Sequence, residues 1–311
     1  MLCFAFATGV SGIAAEVLVV DSLQERVLLV DAFDGSIINE NFIRDDTRMQ
    51  TPVNAINSGR GTIFISDALS DAVFEYGRDG SFIRTVVGSD SVDNVRGIAV
   101  HQNSLYMTIG AGDLRGTIQR FDLATGQQST FIGSNLESPW DITFRDTDIL
   151  ISDSGLDDIL RFDQDGSFLG TFVDGDSISP SLQFPQQINQ RDNGNLLVGG
   201  FSLPTNLYEF DEDGNFIDTL APGLGVRAGI ELGTGEYLFS AGTRLSAVNP
   251  ENGEIRTIVN DLNSNFRFLE RDVVRVVPEP ASGLAMLISA IAAMVYRRRW
   301  VKPYPKVEVG S

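Results

Sequence analysis

The sequence predicts an all-β protein: a six-bladed β-propeller closed by a C-terminal strand that completes the first blade, followed by a single C-terminal hydrophobic helix. Three observations carry this expectation. A strand–turn–strand phrase recurs six times, a strand seed is missing before the first phrase and present after the last, and one apolar run flanked by Pro-Glu-Pro and three arginines lies near the chain end.

The phrase reads Val73-Phe-Glu-Tyr-Gly-Arg-Asp-Gly-Ser-Phe-Ile83, returns as Ile159-Leu-Arg-Phe-Asp-Gln-Asp-Gly-Ser-Phe-Leu169, and again as Leu207-Tyr-Glu-Phe-Asp-Glu-Asp-Gly-Asn-Phe-Ile217. Looser copies surround Gly35, Gly126 and Gly253. The turn glycines Gly35, Gly80, Gly126, Gly166, Gly214 and Gly253 are 45, 46, 40, 48 and 39 residues apart, the length of one propeller blade. A further strand precedes each phrase: Val17-Leu-Val-Val-Asp21, Ile63-Phe-Ile-Ser-Asp67, Leu105-Tyr-Met-Thr108, Ile149-Leu-Ile-Ser-Asp153, Leu196-Leu-Val198 and Tyr237-Leu-Phe-Ser240. Innermost strands are seeded at Ile56, Ile98, Ile142, Ile188 and Ile230, and blade one has none of its own. Its counterpart is Phe266-Arg-Phe-Leu-Glu270, so the last segment closes the ring and removes the open sheet edges. Apolar residues alternate at period two, as half-buried antiparallel strands require.

The ends of the chain read as export signals. Residues 1–15 are apolar, acid-free and end in Gly12-Ile13-Ala14-Ala15, a signal-peptide-like segment without a basic start, as in a weak or truncated signal. Val277-Pro278-Glu279-Pro280 leads into an apolar span, residues 281–296, and then Arg297-Arg298-Arg299. Sixteen residues make a helix of roughly 24 Å, short for a permanent anchor across a hydrocarbon core of about 30 Å. Arginines are retained on the cytoplasmic side, which places the body outside the inner membrane and residues 300–311 in the cytoplasm.

This tail resembles the PEP-CTERM sorting signal of Gram-negative bacteria, in the order Pro278-Glu279-Pro280, apolar helix, Arg297-Arg298-Arg299. The resemblance implies recognition and cutting by an exosortase-type membrane protease. It also implies delivery to the cell surface or extracellular matrix after transient anchoring in the inner membrane, often alongside exopolysaccharide. Residues 300–311 extend past the point where such signals usually stop. The blades, residues 16–276, resemble NHL and related six-bladed propellers, including gluconolactonase-like enzymes. That likeness implies a fold and leaves activity open.

Composition narrows the chemistry. Residues 16–277 hold eighteen arginines, no lysine and forty carboxylates, within a chain of net charge −19. Nucleic acid is therefore an unsuitable partner, and a cationic surface partner a suitable one. Cys3, inside the signal-like segment, is the single cysteine and His101 the single histidine, so the mature body has no disulfide or thiolate site, zinc hydrolysis and haem or iron–sulfur chemistry lack their ligands, and the one imidazole a triad could use lies on the face opposite the usual site. His101 is expected in an exposed turn after its inner strand.

Residues just before the inner-strand isoleucines are expected at the channel mouth. Asn54, Arg96, Trp140, Asp141, Gln186, Gln187, Arg227 and Arg267 are the candidate ligand-binding set. The arginines and the indole suit an anionic or sugar-like ligand. The alternative is that these side chains plug the channel and pair with Asp141. No catalytic residue is assigned and no cofactor is required. A Ca²⁺ ion is the remaining metal option, with Asn54 and Asp141 as two members of a gluconolactonase-like Glu/Asn/Asp set that lacks its Glu. Asp163-Gln-Asp165-Gly166 and Asp211-Glu-Asp213-Gly214 look like pieces of calcium loops and are read as hairpin turns. The expected function is a non-catalytic binding or scaffold module, exported and tethered by the face opposite its channel mouth. The rival is an extracellular divalent-cation-dependent hydrolase or lactonase.

Overall fold

The structure, a computed structural model, describes residues 14–274. The signal-like residues 1–13, the sorting signal with Pro278, Glu279, Pro280, Arg297, Arg298 and Arg299, the helix expected at 281–296 and the tail 300–311 lie outside the described residues.

Six four-stranded antiparallel sheets follow one another along the chain. The first joins β1 (Ala14–Asp21), β2 (Arg26–Asp31) and β3 (Ile37–Arg44). The second holds β4 (Pro52–Asn57), β5 (Thr62–Asp67), β6 (Ala72–Gly77) and β7 (Phe82–Val87). The third holds β8 (Val95–His101), β9 (Ser104–Ile109), β10 (Thr117–Asp122) and β11 (Gln128–Ile132). The fourth holds β12 (Pro139–Phe144), β13 (Ile149–Asp153), β14 (Asp158–Phe162) and β15 (Phe168–Val173). The fifth is β16 (Pro185–Gln190), β17 (Leu196–Gly200), β18 (Asn206–Phe210) and β19 (Phe216–Leu220). The sixth is β20 (Ala228–Glu231), β21 (Tyr237–Ala241), β22 (Arg244–Val248) and β23 (Ile255–Asn260). The last strand, β24 (Phe266–Val274), pairs with β1 as the inner strand of the first sheet. The closure expected from residues 266–270 is therefore present, in a strand four residues longer.

The core lies between blades. Six apolar clusters each join neighbouring sheets, and one of them closes the ring by packing Val17, Val19, Leu28 and Phe266 against Ile230, Leu238 and Leu245. Fully burying one such side chain contributes about 1.5–3 kcal/mol, so each blade is held chiefly by its neighbours. The outer strands expose polar and charged residues such as Asn39, Glu40, Arg84 and Arg256, which blunts their free edges.

The repeated Asp-Gly phrases form the expected hairpin turns. Asp163 Oδ1 accepts the N–H groups of Asp165 (3.0 Å) and Ser167 (2.8 Å), and Asp211 Oδ1 accepts those of Asp213 (3.0 Å) and Asn215 (2.8 Å). Gly80 shows why glycine ends the turn: its φ is +81°, and a Cβ there would lie 2.7 Å from the Phe42 carbonyl of the preceding blade.

A serine that recurs near the end of the second strand, followed by Asp in blades two and four, sews blade to blade. Ser66 Oγ accepts the Asn54 N–H (3.1 Å) and donates to the Arg96 carbonyl of the next blade (2.5 Å). Ser152 repeats this with Asp141 N (3.0 Å) and Gln186 O (2.5 Å). Ser240 donates to Arg267 O, which carries the stitch across the closure (2.5 Å). The aspartates that follow cap the loops: Asp153 accepts N–H groups from Glu137, Ser138, Gly155 and Leu156, and Asp67 does the same for Gln50, Thr51, Leu69 and Ser70.

Candidate functional site: the central channel

Every inner strand starts on one face, which it shares with the loops between second and third strands; this is the mouth face. Inner strands end on the far face. There Asp272 of β24 takes hydrogen bonds from Asn57 Nδ2 (2.8 Å) and Arg78 (2.6 Å), and β1 begins.

The eight residues expected at the mouth separate into two layers. Trp140 and Asp141, and likewise Gln186 and Gln187, are neighbours in sequence, and adjacent strand residues point to opposite sides. Local bulges in four inner strands, where the register slips between Pro52/Asn54, Val95/Ile98, Pro139/Asp141 and Pro185/Ile188, set which residue turns inward.

The mouth layer is filled by stacked rings. The Arg96 guanidinium lies 4.3 Å over Trp140, and the indole packs against Phe184 (5.6 Å) and Phe268 (6.5 Å). Phe184 meets Phe201 (5.8 Å), over which Arg227 stacks at 4.0 Å. Trp140 Nε1 donates to Ser154 Oγ (2.9 Å). The rings and guanidinium groups pack on one another in this layer, and the arginines do not pair with Asp141. Arg96 donates to Asn94 Oδ1 (2.8 Å), Ser138 Oγ (2.9 Å) and Pro139 O (3.3 Å), Arg227 to Gln186 Oε1 (3.2 Å) and Arg267 to Ser22 Oγ (3.0 Å), all neutral acceptors. Among the described residues, no ion pair includes these three. Burial lowers all three: Arg227 to about 9, with Arg267 adding repulsion, Arg96 to about 10 with a push from Arg115, and Arg267 in the same direction. Asp141 is absent from this layer because it sits below the bulge, with Trp140 between it and the mouth.

Below the mouth layer lies a cavity of about 380 Å³, lined by Asn54, Asp141, Gln187, Asn189, Ile56, Ile230 and Glu270 among others. Three of the predicted ligand residues belong here, and they stitch the inner strands together across the channel. Asn54 Nδ2 donates to Ile98 O (3.3 Å), Asp141 Oδ2 accepts Ile188 N–H (2.9 Å) and Gln187 Oε1 accepts Leu269 N–H (2.8 Å). Asn189 adds a bond to Gly229 O (3.0 Å). These side chains satisfy inner-edge backbone groups that have no further strand to pair with.

Glu270 corrects the sequence reading, which found no Glu in an inner-strand slot. It was visible in the closing segment, but β24 starts with Phe266-Arg267-Phe268 and lacks the isoleucine that marks the other slots, so its register stayed hidden. Glu270 lies two positions beyond Phe268 on the cavity wall and has no hydrogen-bond partner among the described residues. Burial pushes its carboxyl up to about 8, helped by the charges of Asp141 and Asp272. Burial likewise raises Asp141 to about 7 against the pull of the Ile188 and Ile142 N–H groups. The cavity thus holds the carboxylates of Asp141 and Glu270, with that of the exposed Asp192 also in its lining, and among the described residues Asn54 Oδ1 is a buried acceptor with no donor.

His101 corrects a second expectation. It is the last residue of β8, part-buried and stacked at 4.4 Å on Phe144 of the next blade.

No family model matches the sequence, and no curated protein matches it. Solved structures do. A chain of the nidogen/laminin complex superposes with TM-score 0.68 at 11% identity, over 84% of this chain and 98% of that one. The WD40 β-propeller domain of Doa1 superposes with TM-score 0.55 at 14% identity, over 80% of each chain. Identities this low show the fold alone. The body is an all-β six-bladed propeller with NHL/laminin-type and WD40 propeller neighbours.

Proposed function

We propose that this protein is a non-catalytic binding or scaffold propeller, exported and sorted by its C-terminal PEP signal, that works at the cell surface or in the matrix. The mouth face carries this reading. A closed aromatic–guanidinium floor is ringed by exposed leucines from separate loops: Leu23, Leu69, Leu156, Leu203 and Leu262. That arrangement suits a docking platform, in which a packed floor and an apolar rim meet a partner surface. In this reading the tail that follows β24 is the tether.

Two measurements test this. Cells that carry an exosortase should release or surface-display the tagged chain, and replacing Arg297, Arg298 and Arg299 by Ala should leave it in the inner membrane. Equal surface delivery with and without the arginines overturns the sorting. Leu203→Glu and Leu262→Glu should abolish capture of whichever surface component the wild type retains on intact cells. Unchanged capture overturns the platform.

A second reading, a divalent-cation-dependent hydrolase or lactonase, has one observation in its favour. Glu270 joins Asn54 and Asp141 in the cavity and supplies the missing carboxylate. The donor set is a partial fit for Ca²⁺: Glu270 and Asn54 Oδ1 are free, whereas Asp141 already holds a backbone N–H. Among the described residues, no group of three or more His, Cys, Asp or Glu is arranged to hold a metal. Terbium luminescence that is competed by Ca²⁺ and lost in Glu270→Gln supports this reading, and no binding at millimolar Ca²⁺ removes it.

A further inference from the structure

The mouth holds a positive charge that the body leaves uncompensated. In a region with forty carboxylates and eighteen arginines, Arg227 and Arg267 lie close enough to repel each other and Arg96 stacks on Trp140 in the same mouth layer, all three with only neutral acceptors. Asp153, whose charge reaches Arg96, is already filled by four backbone N–H groups. Two donors here have no acceptor among the described residues. Arg227 is 9% exposed and its Nε is unpartnered, and Gln186 is 0% exposed with an unpartnered Nε2. Buried unpaired donors and desolvated cations are each unfavourable, so the fold maintains this arrangement at a loss. Stacking on Trp140 and Phe201 fixes the planes of Arg96 and Arg227. A held plane favours the two-toothed hydrogen bonding that a carboxylate accepts.

We infer that the mouth recognises a single carboxylate on a protein segment with apolar flanks, an Asp or Glu side chain that reaches Arg227 and Arg267 while its neighbours rest on the leucine rim. This rests on the proposed binding function and names its ligand chemistry. The rim decides for a protein over a uronate glycan. Leu23, Leu69, Leu203 and Leu262 are 63%, 62%, 82% and 84% exposed, and they offer aliphatic contact where a sugar ring would be better served by an aromatic face. The surrounding negative charge excludes polyanions and admits one acid in an otherwise neutral stretch. Entry requires the stacked rings of the floor to part and Gln186 Oε1 to leave Arg227, after which the bound oxygen gives Arg227 Nε and Gln186 Nε2 an acceptor.

The test uses the full chain in detergent against a capped dodecapeptide array. Each member has one Asp among Leu, Val and Thr and is matched by its Asp→Asn twin; oligogalacturonate serves as the glycan carboxylate. Peptides that bind should lose at least tenfold in affinity as Asn twins and at least tenfold with Arg227→Gln or Arg267→Gln. Arg227→Lys should fall between, and thermal melting should confirm that each variant is folded. Peptide binding that ignores both the Asn twins and the arginine variants, yet falls with Leu203→Glu, overturns the carboxylate and leaves the platform standing. Arginine-dependent binding of oligogalacturonate without peptide binding overturns the protein partner. No binding of any probe overturns both.

Discussion

The cavity carboxylates of Asp141 and Glu270 should make this protein lose stability as pH rises through neutrality, which is unusual for an acidic chain. Asp141 moves from a usual value near 3.8 to about 7, and Glu270 from near 4.5 to about 8. Both folded values exceed the unfolded ones, so the folded state holds more protons between pH 4 and 8. The stability this confers is complete below about pH 4 and is lost as pH rises through 7 to 8. At about 1.4 kcal/mol per pH unit, Asp141 alone corresponds to roughly 4 kcal/mol, and water in the cavity reduces what the pair shows to on the order of 2–4 kcal/mol. Urea unfolding from pH 5 to 9, with EDTA present and in a His101→Gln background that removes the single imidazole, measures it. Asp141→Asn keeps the oxygen that accepts Ile188 N–H and should flatten about half of the slope, with Glu270→Gln taking most of the rest. A wild-type stability that is flat or rises between pH 5 and 8 would refute the burial of this pair. If Ca²⁺ abolishes the slope only while Glu270 is present, the cation reading gains its direct support.

Other perturbations probe the architecture. Gly97→Ala places a Cβ 2.4 Å from Trp140 O and 2.7 Å from the Asp141 Cα, both backbone atoms, and should destabilise by about 2–4 kcal/mol in thermal or urea melts. Ser152→Ala removes two buried hydrogen bonds, one within blade four and one from blade four to blade five, and should cost about 1–3 kcal/mol by the same measurement. Truncation after residue 265 deletes buried Phe266, Phe268 and Leu269, together worth several kcal/mol against a total stability of about 5–15 kcal/mol. That chain should aggregate on size exclusion, whereas a chain ending at residue 274 should elute as a folded body with β-type circular dichroism.

The repeat period, the hairpin turns and the ring closure were legible because each is local or periodic. Asp-Gly suits positive φ wherever it occurs, and period-two alternation marks a strand without knowledge of its neighbours. The surplus strand at Phe266 was countable against the missing one before Val17. Ser66, Ser152 and Ser240 could be seen to repeat, although their use as interblade stitches depends on the next blade being in place.

What tertiary structure alone decided is how the channel divides. Trp140 and Asp141 stand side by side in the sequence, yet one closes the mouth under Arg96 and the other lies buried in the chamber below. Bulge position makes that choice, and the ring must be assembled before the bulge has a partner to slip against. Glu270 belongs to the chamber for the same reason, since its strand joins a sheet that begins more than two hundred residues earlier. The sequence by itself determined the number of blades and how they close, because pattern and turn chemistry act within a blade. Which charges meet at the axis was settled by six distant segments converging there, and the uncompensated arginines exist only in that convergence.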